Sequence, residues 1–316
     1  MLRNLYALGF VVVLCLAVGL KEPRFFQPMS IESVLLWMPL ITVVAMGQLL
    51  VIATGGIDIS VGSLLGFCGI AVGLVLKSDP HLPVVFAFAY GAGFGIALGF
   101  INAALIAWAR VSPLIVTIGT LAAFRGLAFM VSKGDQIDSS MVPDSLTSLA
   151  NHGIKIAGVN LSWLLVIALV ISLVTALVLR YTAFGRNVYA FGSNPAAARL
   201  RGIPGKAITF WVYVISGALA GLAGTMYAAR FGFVNPLSAG QNFELTVIAA
   251  VAIGGAKLTG GTGSVLGVLL GCLLLSCINV ALSVLGIDSN WQMLAYGVVI
   301  LVAIVIDGIV QRRRAA

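Results

Sequence analysis

Charge is what this chain has least of. Only 9% of its 316 residues are Asp, Glu, Lys or Arg, where a soluble domain carries about 25%. So few charges cannot cover a water-facing surface, which excludes a soluble enzyme and a disordered chain together. Cysteine is sparse as well. Cys15, Cys68, Cys272 and Cys277 all fall inside apolar stretches with no metal-ligand spacing. They read as small apolar fillers, not as a metal site, and are silent about redox compartment. The two histidines, His81 and His152, lie in candidate loops with no obvious ligand partner. A phosphate loop of the form Gly-x4-Gly-Lys-Ser/Thr is missing too. Gly202-Ile203-Pro204-Gly205-Lys206 has neither that spacing nor a hydroxyl after the lysine, so the chain has no ATPase site of its own.

What is present is apolar. Hydrophobic residues make up 60% of the chain, and 37 residues are glycine. A bilayer core of about 30 Å needs a helix of about 20 apolar residues. Punctuation by charge, Gly and Pro predicts an all-α membrane protein of one domain over 1–316. About ten spans are expected, near 5–20, 31–53, 60–77, 83–109, 112–132, 161–180, 206–228, 240–255, 261–284 and 290–309. The eighth is short, and glycine pairs interrupt the chain near 240–264. Broken membrane helices are tolerated only where they are buried in protein or line a cavity.

The net charge of +8 sets orientation in such a chain and does not point to nucleic acid. With the N-terminus in the cytoplasm, inside segments hold Arg3, Arg110, Arg180, Arg186, Arg199, Arg201, Lys206, Lys257, Arg312, Arg313 and Arg314. Outside segments hold Lys21, Arg24, Lys77, Lys133, Lys155 and Arg230, while Asp135, Asp138 and Asp144 share one outside loop. The positive-inside rule then places both termini in the cytoplasm. Residues 5–20 have an alternative reading as a signal peptide, with Ala17-Val18-Gly19 supplying small residues for cleavage. Nine spans would remain, and Arg312 to Arg314 would face outward against that rule.

Membrane helices associate through close backbone contact. Gly91, Gly95 and Gly99 recur every four residues, as do Gly263, Gly267 and Gly271. Gly62 pairs with Gly66 and Gly217 with Gly221. These read as packing seams. An internal echo links Gly55–Gly66 with Gly254–Gly267, its register differing by two residues between its ends. Internal repeats are common in transporter folds.

The segment 181–205 is the longest inside loop, and 194–202 carries a full set of helix punctuation. Asn194 is a good N-cap, Pro195 fits the first helical position, Gly202 suits the left-handed position after the helix, and Pro204 prevents continuation. A helix of two turns is marginal in water and is ordered when docked. Two readings stand at this level: a partner protein, or lipid headgroups meeting Arg199 and Arg201.

The run Gly55-Gly56-Ile57-Asp58-Ile59-Ser60-Val61-Gly62-Ser63 resembles the hallmark of one family, the ribose/branched-chain type of permease subunit in binding-protein-dependent ABC importers. Further matches follow in order over roughly residues 30–310. Thr117-Ile118-Gly119-Thr120 precedes Arg125-Gly126. Phe184-Gly185-Arg186-Asn187 leads to Gly192-Ser193-Asn194-Pro195-Ala196-Ala197-Ala198 and Gly202-Ile203. Asn242-Phe243-Glu244-Leu245 leads to Ile248-Ala249-Ala250, Gly254-Gly255 and Gly260-Gly261-Thr262-Gly263.

The resemblance implies a multi-pass subunit of a bacterial inner membrane. Two permease chains, copies or paralogues, form the pore in the lipid bilayer. Cytoplasmic ATPase subunits drive it with ATP and Mg, an extracytoplasmic binding protein delivers solute, and this chain holds no cofactor. Asn194, Pro195, Ala196, Ala197, Arg199, Leu200, Arg201 and Gly202 then become the coupling helix that docks on the ATPase. The solute is a monosaccharide or sugar-like compound moved by alternating access. Ala183-Phe184-Gly185-Arg186 and Gly232-Phe233-Val234 are most similar to rhamnose or autoinducer-2 permeases.

Polar residues within spans are candidates for the translocation path: Gln48, Asn102, Thr120, Arg125, Asn242 and Glu244. Arg125 has Glu244 as a candidate partner, or snorkels outward. Asn102, Gln48 and Thr120 serve equally as interhelical hydrogen-bonding groups. Gly55, Gly56, Asp58, Ser60, Gly62, Gly254, Gly255, Gly260 and Gly261 form a gating or structural motif. Within it Ser60 is the expected N-cap of the third helix, with Asp58 near that positive helix end. The competing function is an ion-coupled secondary transporter of a small polar solute. Scarce intramembrane carboxylates argue against it, since proton relays need them. A structural or assembly protein is disfavoured by the glycine-broken segments.

Overall fold

The computed structural model describes residues 2–287, with side chains from Leu8 onward, and the helical residues Trp291, Leu294, Gly297, Val298 and Leu301. The expected span 290–309 lies outside the described residues apart from those five. Twelve α-helices and one hairpin follow in order: α1 (Leu2–Lys21), α2 (Pro28–Ala53), α3 (Val61–Ser78), α4 (Val84–Ala107), α5 (Pro113–Ser132), α6 (Asp144–Asn151), β1 (Gly153–Ile156), β2 (Val159–Ser162), α7 (Trp163–Tyr181), α8 (Ala183–Ser193), α9 (Pro195–Leu200), α10 (Gly205–Phe231), α11 (Phe243–Ile253) and α12 (Val265–Val284). Seven of them, α2, α3, α4, α5, α7, α10 and α12, are long and apolar enough to cross a membrane. Their ends follow local chemistry. Pro28 and Pro113 open α2 and α5, where a missing N–H is harmless. Gly232, at φ 68°, closes α10.

Helix α11 is short, as expected, while other elements depart from expectation. At 11 residues, α11 is about 16 Å long and cannot cross a 30 Å core alone. The 181–205 segment contains a second helix, α8, capped by Thr182, whose side chain accepts from Gly185 N at 3.1 Å. The all-α expectation also misses the hairpin, whose register pairs Gly153 with Ser162 and Ile156 with Val159. Ala157 and Gly158 both have positive φ, 50° and 82°, as a two-residue turn matched to strand twist requires. The seam expected from Gly263 also shifts: α12 begins at Val265, so Gly263 sits in the preceding loop, with space for a Cβ only 2.5 Å from Leu49.

The core lies between α2, α3 and α10, while α4, α5 and α7 keep apolar faces outward (Phe86, Ile115, Ile118, Val170 and Leu173 among them). Lipid offers no hydrophobic drive between helices, so backbone proximity holds them. The two predicted glycine seams face each other across α4 and α10. A Cβ on Gly95 would stand 2.2 Å from Gly217 O, and one on Gly221 2.1 Å from Gly91 O.

The helices define two ends. Ala53, Ile57, α8, α9 and residues 254–264 gather at one, here the α9 end. The hairpin, Glu32, Trp37 and Phe231 gather at the other, the hairpin end, where Glu32 Oε1 accepts from Asn160 N at 2.7 Å. Pro39 lies inside α2, and proline disrupts the helical bonding of preceding carbonyls. Arg230, from the last turn of α10, donates to Leu36 O and stacks on the Trp37 ring at 4.1 Å. A cation thus adds a bond to a carbonyl one turn before the proline and ties α10 to α2. From sequence alone Arg230 reads as an outer-loop charge.

Candidate functional site

Asp58 is the centre of the first polar group. It lies in the loop between α2 and α3 and is 1% exposed. Its Oδ1 accepts from Ser60 N at 2.9 Å and from Ser60 Oγ at 2.6 Å. Ser60 holds the N-cap position of α3 but makes no capping bond with its own side chain, which corrects the expected role. Its hydroxyl is spent on Asp58 and in turn accepts from Asn102 Nδ2 at 2.8 Å. Gln48 completes the knot: with its amide assigned in the orientation that its surroundings require, Nε2 donates to Asp58 O and Oε1 accepts from Asp58 N, 3.2 Å each. Tyr213 donates to the neighbouring Ile57 O at 3.4 Å, and Thr117 Oγ1, which donates to Pro113 O at 2.9 Å, stands 3.4 Å from the same carbonyl. Burial pushes the Asp58 carboxyl up to about 6, against the pull of Ser60 and a weaker pull from the Ser216 hydroxyl. Side chains of α2, α4, α5 and α10 therefore converge on one short loop. Gln48 and Asn102, read from sequence as path candidates, hold Asp58 and Ser60 in this structure.

Arg125 and Glu244 make the second group. Arg125, on α5, donates to Ala239 O and to Gly240 O, 2.5 and 3.3 Å away. Those carbonyls lie where the chain re-enters the bundle to start α11. The same segment crosses α3 at its glycine pair. A Cβ on Gly66 would meet Ala239 O at 2.5 Å, and one on Gly62 would meet Glu244 Oε2 at 2.3 Å. Asn242 turns the chain there with φ 57° and makes no side-chain cap. Glu244 is 8% exposed, interacts electrostatically with Arg125, and leaves Oε2 without a hydrogen-bond partner. Arg125 does not snorkel; it straps the entry of α11. Thr120 stays apart from both groups, its hydroxyl bonding back to Thr117 O at 3.4 Å.

The echoed glycine motifs are one local structure used twice. At the end of α2, Gly55 N donates to Ile52 O and Gly56 N to Val51 O. At the end of α11, Gly255 N donates to Ala252 O and Ala256 N to Val251 O. Gly55 and Gly255 have φ 83° and 90°, the left-handed geometry that this pair of bonds needs. The repeat is therefore in register at Gly55 and Gly255, one residue from the pairing that sequence suggested. The loop before α12 is longer than the one before α3. The two motifs also touch: Gly261 N donates to Ala53 O at 2.9 Å.

Beside them α9 has the predicted punctuation. Asn194 Oδ1 accepts from Ala197 N at 3.0 Å, Pro195 opens the helix, and Gly202 has φ 74°. Ala196, Ala197, Arg199 and Arg201 are exposed, and Leu200 is 91% exposed. Charge divides the ends. The hairpin end carries Lys21, Arg24, Lys77, Lys133, Lys155 and Arg230 against Glu22, Glu32, Asp79, Asp135, Asp138 and Asp144. The α9 end carries Arg3, Arg110, Arg180, Arg186, Arg199, Arg201, Lys206 and Lys257. Among the described residues its only acid is the buried Asp58. At the hairpin end a cavity of about 210 Å³ opens between Leu74, Lys77, Ser132, Asp135, Gln136, Ile137, Asp138 and Met141.

The sequence is similar to those of known proteins. A family profile described as "Branched-chain amino acid transport system / permease component" matches residues 30–304. The autoinducer 2 import system permease protein LsrC of Photorhabdus luminescens is 34% identical over 303 residues, 95% of this chain and 88% of that protein. LsrC of Yersinia enterocolitica is 33% identical over 96% of this chain and 81% of its own length. LsrC of Escherichia coli is 33% identical over 97% and 87%. No solved structure matches the chain significantly. A profile spanning most of the chain, relatives aligned almost end to end and seven apolar spanning helices together show a multi-pass inner-membrane protein, a permease subunit of an ABC importer that belongs to the branched-chain amino acid transport system permease family.

Proposed function

We propose that the chain forms, with a second permease chain, the path for a monosaccharide or a sugar-like solute of the autoinducer-2 class. Cytoplasmic ATPase subunits that use ATP and Mg drive it, and an extracytoplasmic binding protein feeds it. The similarity to LsrC proteins supports the solute class. The α9 end is the cytoplasmic one, both termini lie there, and about ten segments enter the bilayer, with α11 as the short one. The excess of arginine and lysine at that end supports this orientation. Arg125, Asn242 and Glu244 lie on the path, where an unpaired carboxylate oxygen suits a polyol hydroxyl donor.

The observation that carries the reading is α9: capped, exposed and cationic, at an end whose only described acid is buried. Its Pro195–Arg201 surface fits an acid-lined groove on the ATPase. The test is reconstitution of the permease, ATPase and binding protein in liposomes, with labelled autoinducer-2 and monosaccharides as solutes. Uptake that needs ATP is expected, together with loss of ATPase co-purification in an Arg199→Glu, Arg201→Glu double variant. Uptake without the ATPase, driven by a proton gradient, would refute the reading.

A further inference from the structure

We infer that motion of α9 enters the membrane domain through a backbone junction at the C-terminus of α8, and that Gly192 and Tyr189 are its positioning residues. This rests on the proposed docking of α9 on the ATPase.

The junction is built around one carbonyl. Ala53 O ends α2, where the last carbonyls of a helix lack intrahelical donors. Gly261 N binds it at 2.9 Å. Gly192 covers it so closely that a Cβ there would stand 1.8 Å from Ala53 O and 2.8 Å from Gly261 N. The contact is reciprocal, since a Cβ on Gly260 would lie 2.8 Å from both Gly192 O and Gly55 N. Tyr189, one turn back on α8, donates its hydroxyl to Gly263 O at 3.1 Å. Ser193 Oγ bonds Tyr189 O at 2.8 Å and reaches Gly261 O at 3.4 Å.

One face of α8 thus holds the end of α2 and the loop between α11 and α12 together. The first leads within five residues to Asp58; the second carries α11, whose start holds Glu244. Packed backbone transmits displacement because it has no rotamers to absorb it. Both glycine motifs therefore move with α8 as one body. The alternative route runs along the chain through Gly202 and Pro204 into α10. Gly202 has open space around it and stands between two helices, so that route is the looser one.

Tyr189→Phe separates the two routes, because it keeps the ring and removes only the bond to Gly263. In reconstituted complex we expect ATPase co-purification and stimulation by loaded binding protein to persist. Solute moved per ATP should fall by about fivefold, the factor carried by one ordinary hydrogen bond. Gly192→Ala should abolish transport per ATP if it assembles. A wild-type transport-to-ATP ratio in Tyr189→Phe would overturn the proposal in favour of the α10 route. Loss of ATPase binding by Tyr189→Phe would overturn it too, since the junction would then be only a scaffold for α9. Failure of the docking reading shows separately, as retained ATPase binding in the Arg199→Glu, Arg201→Glu variant.

Discussion

Asp58 offers a test whose sign can be worked out in full. Its carboxyl moves from the ordinary 3.8 to about 6 because it is buried in the knot between α2 and α3. Below the ordinary value the group is protonated in both the folded and unfolded chain and carries no penalty. As pH rises from 3.8 to about 6 the unfolded chain loses its proton first, so stability falls; above about 6 it changes no further. A shift of that size corresponds to about 3 kcal/mol, of which about 2 kcal/mol falls between pH 4.5 and 7.5. Asp58→Asn keeps an oxygen for Ser60 N and Ser60 Oγ and removes the charge. Its bonds weaken, since charge-assisted bonds are roughly twice as strong as neutral ones, but its pH dependence disappears. Asp58→Ala strands both Ser60 donors, at about 1–3 kcal/mol each. Thermal unfolding in detergent can be followed by a fluorogenic thiol reagent, because Cys68 and Cys272 are fully buried in the folded chain. The wild type should lose several degrees between pH 4.5 and 7.5, Asp58→Asn should be flat over that range, and Asp58→Ala should unfold earliest at every pH. Equal pH slopes for wild type and Asp58→Asn would refute the reasoning.

Three further outcomes follow from the packing. Gly95→Val should prevent a detergent-stable fold, because its Cβ lands on Gly217 O; Gly93→Ala has open space and should raise helix stability by about 0.5–1 kcal/mol. Size-exclusion profiles of the two variants test this, and similar profiles would count against the seam. Arg230→Met removes the bond to Leu36 O and the stack on Trp37, so we expect destabilisation of about 1–3 kcal/mol and an altered tryptophan spectrum. An unchanged spectrum would count against the clamp. Arg125→Ala frees the Ala239 and Gly240 carbonyls and should make residues 236–242 sensitive to protease while the ATPase still co-purifies. Wild-type resistance would remove the strap.

The sequence showed most clearly what local chemistry decides. The cap, proline and glycine of α9 are neighbours in the chain, so their geometry could be written down without a fold. The facing seams of α4 and α10 were visible as spacing, though not as a pair. What stayed hidden depends on distant partners. Gln48 and Asn102 looked like path residues because the loop they hold lies far from Asn102 in sequence. Arg230 looked like a loop charge because the carbonyl that it bonds belongs to α2. Helix α8 reads as loop in sequence because its glycines, Gly185 and Gly192, lower helix propensity. Both glycines sit where backbones touch, a reason that no single-segment reading contains. The hairpin turn, Ala157-Gly158, lacks the Asn or Asp that usually announces one.

The uneven charge of the two ends has an energetic consequence. Among the described residues the hairpin end is balanced, with six bases and six acids, while the α9 end carries eight bases and one buried acid. With the α9 end in the cytoplasm, a membrane potential negative inside holds those charges where they are. Each elementary charge moved across 100 mV is worth about 2.3 kcal/mol, so carrying the net seven charges of that end across would be opposed by roughly 16 kcal/mol. That is more than the whole folding stability of a typical domain. In that orientation the energised membrane acts as a ratchet on insertion, and under the proposed docking it secures the face that α9 presents to the ATPase.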